Sequence, residues 1–411
     1  MNDTMLIRTT TENERELFLR TLMAAFGTHL TPPAEGEGAW WAALEADDSL
    51  LALDEDGAPV GTAGAYSFEL TLPGGRMTPV PGVTTVGVLP THRRRGVLTA
   101  LMRHQLRQFQ ERGAALSVLL ASEAVIYRRF GYGPAAFSQR LTVDSHRSAF
   151  AAPVEAAGRI ELRRRADSGE LLAEVYDRYR RTQPGALSRP ARWWSAGAGQ
   201  PPVAHTPRHI VLHRDADGTP DGYASYSVGP TDPVTRTRTL TVDEVIACDD
   251  TVHAALVRYC LDHDLVTTTV FANLPPEHPV RWRLKDFRAA RTGPSQDGLW
   301  VRLLDIPRAL AARRYAAGGD LVLEVHDPFL ATTGRYRLTT DAEGHADCAR
   351  TDRAADLTLD VSDLGALYLG GTAPSTLVRA GRIRPHHDTA ALRADTLFTR
   401  PTGTPHCVHW F

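Results

Sequence analysis

The run Val86-Gly87-Val88-Leu89-Pro90-Thr91-His92-Arg93-Arg94-Arg95-Gly96-Val97-Leu98-Thr99-Ala100-Leu101-Met102 sets three arginines and a glycine between an apolar strand and an amphipathic helix. That order of residue types suits a cofactor carrying a pyrophosphate. The first turn of a helix offers N–H groups with no intrahelical partner and the positive end of the peptide dipole, so Val97, Leu98 and Thr99 present their main chain to an anion. Gly96 lets that main chain come close, and Arg94 and Arg95 add charge. Val97, Leu101, His104 and Leu106, with Leu98 and Met102, fall near one helical face, while Arg103, Gln105 and Arg107 remain for solvent. The alternative is a surface basic turn capping an ordinary helix, and the order of strand, turn and helix weighs against it.

A second run, Ala121-Ser122-Glu123-Ala124-Val125-Ile126-Tyr127-Arg128-Arg129-Phe130-Gly131-Tyr132-Gly133-Pro134-Ala135, follows the strand-like Ala115-Leu116-Ser117-Val118-Leu119-Leu120. The elements that must position both runs repeat along the chain. Leu50 to Gly64 and His209 to Tyr223 each read as a hairpin around Asp-Gly, and each is followed by a further strand and a helix. In the second copy the strand 240–247 leads into the helix 251–261 through Cys248-Asp249-Asp250, where the first copy has its arginines. Aspartates start helices well but repel a diphosphate, so only the first copy is expected to bind cofactor. The boundaries are expected at residues 1–150, 151–304 and 305–411, with the connector Ala151-Ala152-Pro153-Val154-Glu155-Ala156-Ala157-Gly158 between the copies. The last portion reads as a small sheet packed by helices. The fold class is α/β (α+β), with two tandem copies of one domain and a third domain.

The chain has 411 residues, enough for two or three domains. A hydrophobic content of 43%, a charged content of 23% and a formal net charge of −2 describe an ordinary globular protein without a nucleic-acid footprint. No leader-like or membrane-length apolar run is present, which points to a cytoplasmic protein that neither crosses nor binds a membrane. The four cysteines, Cys248, Cys260, Cys348 and Cys407, have no paired spacing, so they are expected to be free and no metal is implied. His386-His387 and the pair His406 and His409 read as loop or surface histidines rather than metal ligands.

Arg93-Arg94-Arg95-Gly96-Val97 resembles the acetyl-CoA-binding motif of the GNAT acetyltransferases, which runs Arg or Gln, two residues, Gly, one residue, then Gly or Ala. Leu98 departs from it in the manner of one branch, the enhanced intracellular survival (Eis) acetyltransferases. Gln296 to Arg302, Leu364 to Gly371 and the terminal Phe411 resemble that branch too. The resemblance implies two GNAT domains, the second degenerate, and a closing sterol-carrier-protein-like domain. It implies acetyl-CoA as co-substrate, bound by Val86, Gly87, Val88, Arg94, Arg95, Gly96, Val97, Leu98 and Thr99, with Ser122 and Glu123 beside it. The strand after the basic helix should splay from its neighbour to admit the pantetheine arm, the N–H of Val88 should polarise the thioester carbonyl, and Tyr127 should protonate the departing thiolate.

An amine nucleophile must also lose a proton. By the same resemblance the base is the α-carboxylate of Phe411, desolvated by Trp410 and Phe411 in an apolar pocket, with Glu123 and His409 in reserve. Relatives that acetylate aminoglycosides hold acidic groups in the acceptor pocket, where this chain has Gly27, Thr28, His29 and Trp410. Trp40, Trp41 and Trp410 are candidates for an aromatic cage around a less charged amine. The expectation is an N-acetyltransferase acting on primary amines of a bulky small-molecule acceptor (aminoglycoside-like or another amine natural product, or a lysine side chain) and, by resemblance, a homohexamer built as a trimer of dimers. The competing reading is a non-catalytic lipid or partner binder with a vestigial GNAT domain.

Overall fold

The computed structural model describes residues 5–29, 44–164, 168–195, 208–398 and 403–411, so Trp40 and Trp41 lie outside the described residues. Along the first part of the chain come β1 (Leu6–Thr9), α1 (Arg15–Ala25), β2 (Leu50–Leu53), β3 (Pro59–Thr71), β4 (Met77–Val88), α2 (Val97–Glu111), β5 (Leu116–Leu120), α3 (Ala124–Tyr127), β6 (Gly133–Pro134) and β7 (Phe137–Asp144). The second part holds β8 (Arg159–Arg164), α4 (Gly169–Arg180), α5 (Ala191–Ser195), β9 (His209–Arg214), β10 (Pro220–Val228), β11 (Thr239–Ala247), α6 (Asp250–Leu261), β12 (Thr268–Leu274), α7 (Val280–Arg283), β13 (Ala290–Asp297) and β14 (Leu299–Leu303). The third holds α8 (Ile306–Ala312), β15 (Gly319–His326), β16 (Gly334–Thr340), β17 (Ala346–Arg350), β18 (Leu357–Asp360), α9 (Val361–Leu367), α10 (Pro374–Arg379), β19 (Ile383–Pro385) and α11 (Ala390–Phe398).

The internal echo holds down to single hydrogen bonds. In the β2–β3 turn the Asp54 carboxylate accepts from the N–H groups of Asp56 and Ala58, and Gly57 takes φ +78°. In the β9–β10 turn Asp215 accepts from Asp217 and Thr219, and Gly218 takes φ +87°. An aspartate folding back on its own main chain, followed by a left-handed glycine, is what this sharp reversal requires. The helices after the repeated sheets begin differently. Asp249 caps α6 by accepting from Thr251 and Val252, whereas α2 starts at Gly96 with no side-chain cap. Within α2, Gln105 is buried rather than solvent-facing, because its amide donates to the Gly64 carbonyl at 3.0 Å and so satisfies a group under the helix.

Among the described residues three sheets form, ordered β1-β2-β3-β4-β5-β14-β6, β13-β7-β12-β11-β10-β9-β8 and β17-β16-β15-β18-β19. The division expected at residue 150 does not separate the first two. β14, read from sequence as closing the second copy, lies between β5 and β6 of the first sheet, and β7 lies between β12 and β13 of the second. The two copies have traded equivalent strands. Leu299, Val301 and Leu303 accordingly bury in the first core, and Leu141 and Val143 in the second.

The third domain shares the first domain's core. Leu364, Leu367, Leu321 and Leu397 belong to the same buried cluster as Phe18, Tyr66 and Leu116. A fully buried ion pair, Arg302 to Asp327 at 2.6 Å, ties β14 to the loop after β15. Asp363 of α9 accepts from Arg128, the residue after Tyr127, at 2.7 Å.

Candidate active site

The site is built around β4. Its antiparallel pairing with β3 is interrupted by a bulge, with Thr62 opposite Gly87 and Gly64 opposite Thr84. Thr85 sits in the bulge with φ +51°, a backbone conformation costly for a β-branched residue and common at functional sites. The Thr62 hydroxyl donates to the Thr85 carbonyl at 2.8 Å, and Gly64 leaves room for the Thr85 hydroxyl, which a Cβ would approach to 2.5 Å. On its other edge β4 pairs with β5, in parallel, only at Gly82–Val118 and Val83–Leu119. Beyond these pairs the strands part. The Leu89 N–H donates to the Val60 carbonyl at 2.9 Å. Antiparallel alternation then turns the Val88 N–H away from β3 and toward the opened edge. This bulge and its strained threonine carried no sequence signal that marked them in advance.

At the end of that opened edge the chain makes the basic turn. Arg94 takes φ +64° and Gly96 φ +87°, and α2 starts at Val97. Its first intrahelical bond runs from Ala100 N–H to Gly96 O at 3.0 Å, which leaves the N–H groups of Val97, Leu98 and Thr99 without helical partners. Nothing would crowd a Cβ at Gly96, so the glycine is there for its φ and for an open approach to the main chain. Arg93 is not aimed at this cradle, since its guanidinium donates to the Ala25 carbonyl at the end of α1. Arg94 and Arg95 are exposed, and no described side chain pairs with either. A diphosphate fits such a cradle.

Tyr127 ends α3 and is buried in the cluster that contains Val83, Met102, Tyr132 and Trp300, with Val86 and Leu98 packed on it. The tyrosine thus shares one buried cluster with residues of β4 and α2. Burial raises its phenol above the usual tyrosine value, against the Ser122 hydroxyl, which hydrogen-bonds to it and pulls the other way. Ser122 and Glu123 are exposed at the mouth. Tyr132 is a packing residue, fully buried with its hydroxyl 2.8 Å from Ser117 Oγ.

The C-terminus returns to the same stretch of β4. Phe411 packs edge-on to Phe68 with ring centroids 5.1 Å apart, and its Cε2 would lie 3.0 Å from a Cβ placed on Gly82. The anchor differs from the one expected. Trp410 is 39% exposed, while His409 is buried among Trp193, Phe68 and Phe411, at 4.5 Å from the first and 5.1 Å from the second. Alternation along the last residues turns Trp410 out where His409 and Phe411 turn in. His406 and His409 are likewise core residues and not surface ones: His406 Nε2 meets Asn273 Oδ1 at 3.0 Å, and burial lowers its pKa to about 4. Burial and the nearby Arg189 hold His409 well below the ordinary histidine range, and Arg189 donates to its Nδ1, so it is a wall residue with little basicity to offer. The only group of His, Cys, Asp or Glu side chains close enough to share a metal among the described residues is Asp341, Glu343 and His345, on the exposed turn between β16 and β17. All four cysteines are free.

Beside Phe411 the wall is aromatic, with Tyr66 4.6 Å from Trp193 and 6.5 Å from Phe411. The carboxylates along it are paired with arginines, Glu45 with Arg192 and Glu69 with Arg180. Gly27, Thr28 and His29 are exposed just beyond α1 and add no negative charge.

Comparison with known proteins agrees with this geometry. Residues 6–135 and 185–303 each match the acetyltransferase (GNAT) domain family, and residues 306–408 match the sterol carrier protein domain family. The chain is 38% identical over 393 residues to an uncharacterized N-acetyltransferase of Streptomyces coelicolor, covering 93% of this chain and 94% of that one. It is 35% identical over 390 residues to the N-acetyltransferase Eis of Mycobacterium tuberculosis, covering 92% of each. The crystal structure of Eis1 from Mycobacterium abscessus superposes with a TM-score of 0.86 at 34% identity, over 99% of this chain and 100% of that one. Two GNAT domains followed by a sterol-carrier-like domain, matched nearly end to end, make this chain a member of the Eis family of GNAT N-acetyltransferases.

Proposed function

We propose that this enzyme transfers an acetyl group from acetyl-CoA directly to a primary amine of a bulky small-molecule acceptor. The observation that carries the reading is the opened edge of β4, which runs from the uncapped start of α2 to the point where Tyr127 and Phe411 approach the strand from two sides. In this reading the N–H groups of Val97, Leu98 and Thr99, with Arg94 and Arg95, hold the diphosphate, and Val86, Gly87 and Val88 line the pantetheine arm beside Ser122 and Glu123. The amine nitrogen attacks the thioester carbonyl and forms the new C–N bond, while the oxyanion accepts from Val88 N–H. Collapse breaks the C–S bond. The thiolate takes its proton from the Tyr127 hydroxyl, and the proton on nitrogen leaves to the Phe411 carboxylate. No acyl-enzyme is needed.

The aromatic wall and its arginine-paired carboxylates favour acceptors with an apolar or aromatic body and few charges over polycationic aminoglycosides. By resemblance to the family we also propose a cytoplasmic location and a hexameric assembly. No helix among the described residues is long and apolar enough to cross a membrane, and the exposed Trp282–Phe287 pair offers apolar surface to another subunit.

The test is thiol release from acetyl-CoA with a panel of aminoglycosides, polyamines, aromatic amines and lysine peptides. Wild type is compared with a chain extended by several residues beyond Phe411. Amine-dependent release that the extension abolishes supports the scheme. Equal turnover by both chains removes the terminal carboxylate from it.

A further inference from the structure

The second GNAT domain has the same parted strands as the first, and it has not lost them along with its phosphate cradle. β11 pairs in parallel with β12 from Thr239–Thr268 to Val242–Phe271 and no further, although β11 runs on to Ala247 and β12 to Leu274. The β10–β11 pairing also slips at this point, with Ser225 opposite Glu244 and Tyr226 opposite Val242, so that Asp243 bulges where Thr85 does in the first domain. In the first domain the opening would admit the pantetheine arm. In the second, the chain's own C-terminal segment lies against both diverging strands.

From the β12 side, His406 Nε2 meets Asn273 Oδ1 at 3.0 Å. From the β11 side, Val408 packs into the cluster of Ile246, Tyr223 and Tyr176. Glu244, just past the parting point, pairs with Arg189 at 3.0 Å in a bridge buried on both sides, and the Tyr223 hydroxyl donates to the same carboxylate at 2.9 Å. Arg189 reaches from that pair to the tail, donating to His409 Nδ1 at 3.4 Å and to the Val408 carbonyl at 3.5 Å, with its guanidinium 4.2 Å from the centre of the Tyr176 ring. The segment before α5 closes over the other side: Gln183 donates to the Thr404 carbonyl at 2.8 Å and the His406 N–H donates to Pro184 at 2.9 Å. Two residues beyond His409, Phe411 reaches Gly82 at the opening of the first domain.

We infer that the degenerate GNAT domain has become the holder of the C-terminus: residues 406–409 occupy the opening between β11 and β12, and the Arg189–Glu244 pair is a positioning device that sets Phe411 at the acetyl-transfer site. A buried ion pair adds little net stability compared with an apolar pair of similar volume, so its presence here fits a role in orientation. The catalytic half of the inference rests on Phe411 acting as the base, as proposed above; the holding half does not.

The experiment is carboxypeptidase digestion of the full-length protein, following Phe411 release by intact mass, in wild type and in the double variant Arg189→Met with Glu244→Leu. The double variant removes both charges together and so strands neither. Asn273→Ala provides a milder second variant, which removes the partner of His406 without touching the buried pair. The expected result is release at least tenfold faster in the double variant, and faster in Asn273→Ala, with an unchanged far-ultraviolet spectrum. The kcat should fall by a factor similar to that of the C-terminal extension, while KM for acetyl-CoA stays within twofold and Arg189→Lys recovers part of the rate. Release within twofold of wild type in folded double variant and folded Asn273→Ala overturns the inference. Faster release with kcat unchanged upholds the holding role and overturns instead the assignment of Phe411 as base.

Discussion

Tyr127 is buried in the cluster onto which Val86 and Leu98 pack, and burial lifts its phenol above the ordinary value. A group raised in this direction is protonated below and through its usual pKa of about 10, so it can serve as an acid across the whole neutral range. Replacing Tyr127 with Phe keeps the ring and removes only the proton. Steady-state kinetics should show kcat falling by about 100-fold or more, with KM for acetyl-CoA within about twofold. The wild-type pH profile should show no alkaline fall from this group below about pH 10, so a limb near pH 8 that disappears in Tyr127→Phe contradicts the assignment. Arg94 and Arg95 act on a different parameter. Each is exposed and each points its charge at the diphosphate in the proposed scheme, so Arg94→Ala should raise KM for acetyl-CoA by roughly tenfold and leave kcat nearly unchanged.

At the scale of elements, β4 is the hub, because its opened edge, its bulge at Thr85 and its glycine at 82 serve different partners. Gly82 is where the last residue of the chain meets the strand. A Cβ there would lie 2.6 Å from the Phe68 ring and 3.0 Å from Phe411, so Gly82→Ala must push the aromatic wall away. The stability cost should be about 1–3 kcal/mol by overpacking, seen in urea unfolding. The larger effect should be on kcat, with acetyl-CoA binding by calorimetry retained, since the cradle at Gly96 is untouched. Full activity in Gly82→Ala would separate Phe411 from the chemistry. The basic turn and both Asp-Gly hairpins were legible because each is local: the residues that need a left-handed φ or a main-chain acceptor sit within a few positions of where they act. The Thr85 bulge was not legible, since it is imposed by the register against β3.

For the whole molecule, burial keeps four histidines neutral. His253 and His406 are lowered to about 4, and His278 and His409 lie well below the ordinary value. Between pH 6.5 and 4 the unfolded chain binds protons at these positions that the native state refuses. Stability therefore rises with pH through that window and is lost as pH falls through it. His406 alone accounts for roughly 3 kcal/mol across the window. Urea unfolding at pH 4.5, 5.5 and 7 should show the loss, and His406→Gln should reduce it by about His406's share while the other three histidines keep theirs; a slope unchanged by that substitution would remove His406 from the acid sensitivity. Because His406 and His409 both lie in the C-terminal segment, the native docking of that segment is coupled to the same protons.

The sequence by itself determined the number of GNAT domains, which copy has a basic turn before its helix and which an acidic one, and the tyrosine and terminal phenylalanine on which the chemistry is proposed to rest. Those are matters of residue type at short spacing, such as Arg-Arg-Gly before a helix against Asp-Asp before a helix. Only the tertiary structure decided that β7 and β14 change places between the sheets, that His409 and not Trp410 anchors the tail, and that residues 406–409 lie between β11 and β12. The physical reason is common to all three. An apolar strand satisfies its alternation equally well in either of two equivalent slots, and a tail's inward face is set by the surface it meets, so contacts distant in sequence chose among arrangements that local preference leaves equal.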